Sequence, residues 1–89
     1  TVEELVQNPK EVGRRIGAAR GYCLMQRPAF AKKMEIGVST LRAIEQGELA
    51  SVGRKPEKRR SLLEQAQRVS KCPPEIVGLS DQLKTFGPR

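Results

Sequence analysis

The sequence predicts an all-α protein, a compact bundle of about five short helices in one domain. Apolar residues recur at steps of three and four along most of the chain, and no segment alternates polar and apolar residues as a strand does. The 89 residues include one Tyr, two Phe and no Trp, so the core must be mostly aliphatic. A chain this short leaves about 40% of its unfolded surface exposed after folding, so no large buried active-site cavity is expected.

The first clear helix is predicted to begin at Pro9. Asn8 can accept hydrogen bonds from the first free backbone amides, Pro9 fits the first helical position, and Glu11 can complete a capping box. Residues 1–8 are assigned to an N-terminal extension that holds one or two turns of helix at most. The domain proper is then predicted to span residues 9–79.

The helix that starts at Pro9 has a stripe of apolar residues, which predicts one buried face. The stripe consists of Val12, Ile16 and Ala19. Three glycines recur at a spacing of four, at Gly13, Gly17 and Gly21. Glycine lowers helix propensity, but at this spacing it would let a neighbouring helix approach closely.

Two short helices joined by a tight turn come next. The first can start around 26–28, because Pro28 is tolerated in the first turn of a helix. The turn lies at 35–37, and the second helix is predicted over 38–46, where Gly47 suits the left-handed residue that ends a helix.

A surface loop is predicted for residues 48–55, since they show no apolar period. A fourth helix has the stripe Leu62, Leu63, Ala66 and Val69 and must stop before Cys72-Pro73-Pro74. Pro73 or Pro74 then opens a short fifth helix. Residues 80–89 are assigned to a C-terminal tail.

The charge balance points to a polyanionic partner. Lys and Arg total 17 against 10 Asp and Glu, giving a formal net charge of +7, so nucleic acid is the first partner to consider. No stretch approaches the roughly 18 apolar residues of a membrane-spanning helix, and no signal-peptide core is present. A cytoplasmic location, at the nucleoid of a bacterial cell or a phage-infected host, is therefore expected.

No metal, cofactor or catalytic chemistry is predicted. The chain has no His, and its two cysteines, Cys23 and Cys72, lie too far apart in sequence for a redox pair. Two free thiols are expected rather than a disulfide, given the predicted compartment. The carboxylates are isolated, and the Ser and Cys residues lack a nearby base, so an enzyme is not expected.

One ordered set of residues runs through the predicted helices: Ile16, Arg20, Phe30-Ala31-Lys32-Lys33-Met34-Glu35-Ile36, Ser39-Thr40-Leu41 and Ile44-Glu45-Gln46-Gly47. In this pattern the chain resembles, over residues 9–79, the lambda-repressor-like (XRE-type) helix-turn-helix family of phage repressors and Cro proteins. The resemblance implies an ion pair between Arg20 and Glu45 that holds the helix starting at Pro9 against helix 38–46, which in this family reads DNA. It also implies core positions at Phe30, Ala31, Ile36, Leu41 and Ile44.

The face of helix 38–46 left exposed by this assignment holds the candidate base-reading residues, because the N-terminal part of the second motif helix enters the major groove. They are Val38, Ser39, Thr40, Arg42 and Ala43. Arg42 suits guanine, the hydroxyls suit base edges or phosphates, and Val38 or Ala43 suits a thymine methyl group. Two alternatives stay open: Val38 as a core residue at the helix start, and Arg42 as a solvated or phosphate-bound charge.

Seven residues are candidates for contacts with the DNA backbone. Resemblance places Gln26 and Arg27 against the backbone or an outer base pair, and the basic run after the motif lies where the family approaches phosphates. That run comprises Arg54, Lys55, Lys58, Arg59 and Arg60. The alternative for the run is an ordinary solvated face.

Two residues depart from the family pattern at the turn. Glu35 lies at a position where Gly is usual, and a left-handed conformation there would be strained. Gly37 replaces the usual hydroxyl cap, which leaves Ser39 as an alternative cap and a helix start that is shifted by up to about two residues.

The predicted function is a transcriptional regulator, a repressor or Cro-like switch protein, that binds a near-palindromic operator in double-stranded DNA. Pairing of two copies, in solution or only on DNA, would supply the specificity that one small motif lacks. Dimer contacts would come from Ile76, Val77, Leu79, Leu83 and Phe86, whose alternative role is closing the monomer core. The alternative function is an antitoxin-type autorepressor whose tail binds a toxin.

Overall fold

The computed structural model describes residues 1–79, which form six α-helices and one 3-10 helix. The helices are α1 Val2–Val6, α2 Pro9–Tyr22, α3 Arg27–Met34, α4 Val38–Glu45, α5 Leu49–Val52, α6 Pro56–Ser70 and the 3-10 helix Pro74–Val77. No strand occurs in this part of the chain. The predicted all-α class is confirmed; α1 and α5 come in addition to the five predicted helices, the fifth of which is the 3-10 helix.

Helix α2 is the central element and packs against α1, α4, α5, α6 and the 3-10 helix. It begins where the sequence predicts, because the side chain of Asn8 accepts a hydrogen bond from the Glu11 amide at 3.2 Å and Pro9 occupies the first turn. Helix α1 precedes it and buries Val2 and Val6 in the core that α2 shares with α6. Residues 1–8 therefore add a helix to the same hydrophobic core as residues 9–79.

Gly13 permits an unusually close approach of α2 to α4. A Cβ atom at this position would overlap the backbone carbonyl oxygen of Ile44 and would lie 3.0 Å from that of Glu45. At Gly17, one turn later, an added Cβ atom would lie 3.7 Å from the Glu45 side chain, whereas at Gly21 it would have no neighbour within 4 Å. Two of the three regularly spaced glycines thus face α4.

The turn between α3 and α4 is built by three residues. Glu35 ends α3 in the left-handed conformation, with φ 61° and ψ 40°, a backbone region that is sparsely populated by side chains such as Glu. Gly37 precedes α4 and offers no side-chain cap, so α4 starts at Val38 and not at the alternative set by Ser39. The helix register next to the turn is thereby fixed.

The prediction of a loop throughout 48–55 is wrong. Residues Leu49–Val52 form α5, closed by a bond from the Val52 amide to the Glu48 carbonyl at 2.9 Å. Val52 is fully buried, and Gly53 turns the chain away with φ 102°. Four residues are too few to show a helical period, so the burial of Val52 against neighbouring helices is what makes this turn helical.

The core contains the apolar residues that the sequence assigned to it. Phe30, Ala31, Leu41 and Ile44 are buried, and Ile36 packs against them while partly exposed. The long α6 contributes Leu62, Leu63 and Ala66. This packing covers one face of each of the two short helices.

The segment after α6 closes the monomer core. Val77 and Leu79 are 0% and 3% exposed, so their alternative role in the core applies and they are not available to a second copy. Arg15 of α2 donates to the carbonyls of Glu75 and Ile76, at 3.2 and 3.4 Å. Ile76 is partly buried, while Leu83 and Phe86 lie outside the described residues.

Both cysteines are free thiols, Cys72 buried and Cys23 partly buried. Residues 1–79 hold no group of His, Cys, Asp or Glu that is suited to a metal ion. A cleft of about 170 Å³ lies between α1 and α6, beside Val6 and Pro56, and it is smaller than the roughly 300 Å³ at which small-molecule sites begin. Over the same residues, no helix is both long and apolar enough to span a membrane.

Gly13→Ala is expected to lower the free energy of unfolding by about 1–3 kcal/mol, because α2 and α4 must move apart to admit the methyl group. Gly21→Ala is the matched control, since it adds the same group to the same helix where nothing lies within 4 Å. It is expected to raise the free energy of unfolding by about 0.5 kcal/mol. Thermal unfolding followed by far-UV circular dichroism measures both, and shifts of the same sign would contradict the close approach.

Candidate nucleic-acid interface

Helix α4 has one buried and one exposed face. Leu41 and Ile44 point into the core, at 0% and 1% exposure. The opposite face carries all the predicted base-reading residues: Val38, Ser39, Thr40 and Arg42 are exposed, and Ala43 is half-buried. Val38 is 40% exposed, which rules out its alternative role as a core residue.

The start of α4 also leaves hydrogen-bond donors free. The first intrahelical bond runs from the Leu41 amide to the Gly37 carbonyl, at 3.0 Å. The amides of Val38, Ser39 and Thr40 therefore have no acceptor among residues 1–79. Unpaired amides at a helix start attract negatively charged groups.

Arg42 is the one cation on this face. Its side chain is exposed, and it forms neither an ion pair nor a hydrogen bond with any residue of 1–79. The guanidinium group therefore keeps its full set of donors for a partner outside the chain.

Glu45, Arg20 and Arg27 form a compact charged group, called here the Glu45 cluster. Arg20 Nε lies 2.7 Å from Glu45 Oε2, and a terminal nitrogen of Arg20 lies 3.2 Å from Oε1. Arg27 Nε lies 3.1 Å from the same Oε1. The Glu45 side chain is only 8% exposed, against 23% for Arg20 and 39% for Arg27.

The Glu45 cluster ties together three helices. Arg20 is near the end of α2, Arg27 starts α3, and Glu45 ends α4. The hydrogen bond to Glu45 raises the pKa of Arg20 further above its ordinary value, so this arginine stays charged at every relevant pH. The Arg20–Glu45 pair matches the one that the resemblance implies, whereas the bond from Arg27 to Glu45 was not predicted from the sequence.

The exposed basic residues after α4 lie where an external anion can reach them. Arg54, Lys55 and Lys58 are exposed, and Arg60 is half-buried beside Glu64 at 3.5 Å. Gln26 is exposed at the residue before α3.

Two further lysines of α3, Lys32 and Lys33, are exposed as well. They were not among the predicted contacts. Their position beside the buried Ala31 and Met34 already marked them as solvent-facing residues of a short basic helix.

The prediction that Arg59 contacts phosphate is wrong. Arg59 is 5% exposed and donates hydrogen bonds to the carbonyl oxygens of Val6 and Gly53. These carbonyls end α1 and α5, where helices carry unpaired acceptors and a partial negative charge. Arg59 therefore acts as a shared cap for two helices.

The spacing of Arg59 from the apolar residues of α6 is a sequence pattern that predicts its burial. Arg59 lies three and four residues before Leu62 and Leu63, so it belongs to the apolar stripe of α6 extended by one turn. Lys58 and Arg60, its neighbours, are rotated out of that stripe by about 100° each, as α-helix geometry requires.

No family model, no curated protein and no solved structure matches this chain.

Arg59→Met is expected to lower the free energy of unfolding by about 2–5 kcal/mol, because two buried carbonyls lose a charged donor while the side-chain volume is largely kept. Lys58→Met is the matched control, the same change one residue earlier at an exposed site. Its melting temperature is expected to stay close to that of the unmodified chain. Equal melting temperatures for the two variants would contradict the capping role of Arg59.

Proposed function

We propose that this chain is a sequence-specific transcriptional regulator that binds double-stranded DNA, with α3 and α4 acting as a helix-turn-helix and α4 entering the major groove. The observation that carries the proposal is Arg42: an exposed cation without a partner among residues 1–79, on the outer face of a helix whose inner face is fixed in the core. Helices of this size fit the major groove.

The exposed face of α4 has the chemistry that base edges require. Arg42 can donate two hydrogen bonds to guanine, and Ser39 and Thr40 can donate to or accept from bases or phosphates. Val38, an exposed apolar side chain at the helix start, fits the methyl group of thymine. Ala43 is half-buried and contributes only a small apolar surface.

Exposed basic residues that follow α4 in the chain support a role in positioning the protein on the duplex. Arg54, Lys55 and Lys58 are solvent-facing, and the chain carries a net charge of +7. Contacts of this kind set register and raise affinity without reading sequence. Arg59 is excluded from this group by its burial.

The small size of the reading face favours binding as two copies on a near-palindromic operator, as a repressor or a Cro-like switch does. One short helix contacts few base pairs, and a second copy one helical turn away doubles the number read. Two of the residues first considered for pairing, Val77 and Leu79, are committed to the monomer core. Ile76 keeps part of its surface exposed at that end of the domain.

Arg42→Ala is expected to weaken binding selectively on the preferred sequence, since a two-pronged contact with a base is worth about 1–3 kcal/mol of discrimination. Duplexes are first selected from a random pool with the unmodified chain. Affinities for the selected duplex and for a mixed-sequence duplex are then compared in one buffer. We expect a loss of about tenfold on the selected duplex and a much smaller loss on the mixed one.

Arg68→Ala is the control for Arg42→Ala, because it removes the same charge from an exposed position on α6. It should leave the ratio of the two affinities unchanged. An equal loss on both duplexes for Arg42→Ala would assign Arg42 to the backbone, and a random pool that yields no preferred duplex would refute sequence-specific binding.

Lys58→Ala is expected to make binding less dependent on salt. Each lost phosphate contact lowers the magnitude of the log–log slope of affinity against salt concentration by about 0.9. Affinity for the mixed-sequence duplex at four or more salt concentrations gives this slope, with Arg68→Ala as the control of equal charge. Identical slopes for the two variants would remove Lys58 from the phosphate contacts.

A further inference from the structure

Glu45 is an unusual ion-pair partner because one nearly buried carboxylate serves two arginines. Its Oε1 atom accepts from both Arg20 and Arg27, and its Oε2 atom accepts from Arg20 alone. The cluster of three side chains therefore carries one positive charge in excess. An anion placed at its exposed edge would balance that charge.

The two arginines of the Glu45 cluster use different parts of the guanidinium group. Arg20 donates from Nε and from both terminal nitrogens, two of these bonds going to Glu45 and the third to the Met25 carbonyl at 3.1 Å. Arg27 donates from Nε alone, so its two terminal nitrogens have no acceptor among residues 1–79. All three nitrogens of the Arg20 guanidinium therefore donate within the fold, whereas the two terminal nitrogens of Arg27 remain available to a partner.

The bond from Nε fixes the direction of that free edge. Arginine side chains are flexible, and ordering one on binding costs about 0.5–1.5 kcal/mol. Glu45 holds the Arg27 guanidinium in place before any partner arrives, with 39% of the side chain still exposed. Two parallel N–H donors on a planar group match two oxygen atoms of a phosphate.

We propose that Arg27 is a prepositioned phosphate clamp and that Glu45 is its positioning residue, holding Nε so that both terminal nitrogens meet one phosphodiester of the DNA backbone. Arg27 starts α3 and is not on the exposed face of α4, which favours backbone over base. This inference rests on the proposed DNA binding but needs no sequence preference. It can be tested on any duplex.

The experiment measures affinity for a mixed-sequence duplex and the salt dependence of that affinity. The unmodified chain is compared with four variants: Arg27→Ala, Arg27→Lys, Glu45→Gln, and Arg27→Ala combined with Glu45→Gln. All measurements are made well below the melting temperature of the weakest variant. Arg27→Ala should bind about tenfold more weakly and lower the salt slope by about 0.9. Arg27→Lys should keep the slope but still lose several-fold in affinity, because an ammonium group cannot hold Glu45 and a phosphate in the same geometry.

The Glu45→Gln substitution tests whether Glu45 acts by positioning Arg27, by its own negative charge or by stabilising the fold. Removing a negative charge near DNA would by itself strengthen binding. If Glu45 positions Arg27, the substitution weakens binding several-fold when Arg27 is present, and it leaves binding unchanged or slightly stronger when Arg27 is already Ala. A purely structural role would weaken binding equally in both backgrounds and would overturn the proposal.

If the Glu45→Gln variant fails to fold, the Arg27 variants still test the proposal, because the Arg20–Glu45 pair is kept in them. The clamp would then be overturned if the Arg27→Lys variant bound DNA as tightly as the unmodified chain. Loss of affinity in Arg27→Ala without any sequence preference would support the clamp and refute sequence-specific regulation. Duplex binding that is insensitive to Arg27 would refute the clamp alone, and no binding at low salt would refute both.

Discussion

The close contact between α2 and α4 is the constraint on which the rest of the arrangement depends. Helix α4 has eight residues, fewer than an isolated helix needs to be stable in water, so packing must hold it in place. Gly13 lets the backbone of α2 approach the Ile44 carbonyl, and one turn later Gly17 leaves room for the Glu45 side chain. A side chain at Gly13 would separate the two helices and disturb the geometry of the Arg20–Glu45 pair as well.

Features encoded by local chemistry were predictable from the sequence. The start of α2 depends on Asn8 and Pro9, which are neighbours in the chain, and the two faces of α4 follow from the period of a helix. Helix α5 was not predictable in this way. Its four residues carry a single buried anchor, Val52, and α5 packs against the distant α2 as well as against its chain neighbours α4 and α6.

The roles of the charged residues were harder to predict than the core, because a charge finds its partner through the tertiary structure. Lys58, Arg59 and Arg60 are adjacent and similar, yet one is exposed, one is buried between two helix ends and one lies beside Glu64. The rotation between successive helical residues accounts for this divergence. Arg27 bonds to Glu45, 18 positions away, and no local pattern encodes such a contact.

The residues that pack α4 into the core and the residues that α4 exposes to solvent lie on opposite faces of this helix. Leu41 and Ile44 face the core, so changes at Ser39 or Arg42 on the opposite face leave the packing untouched. Side chains on this exposed face can therefore be replaced with little effect on stability. Glu45 is the exception, since it accepts hydrogen bonds from Arg20 inside the fold and from Arg27 at the surface. A change at Glu45 would therefore release the exposed Arg27 side chain and would also loosen α4, the helix that carries Glu45.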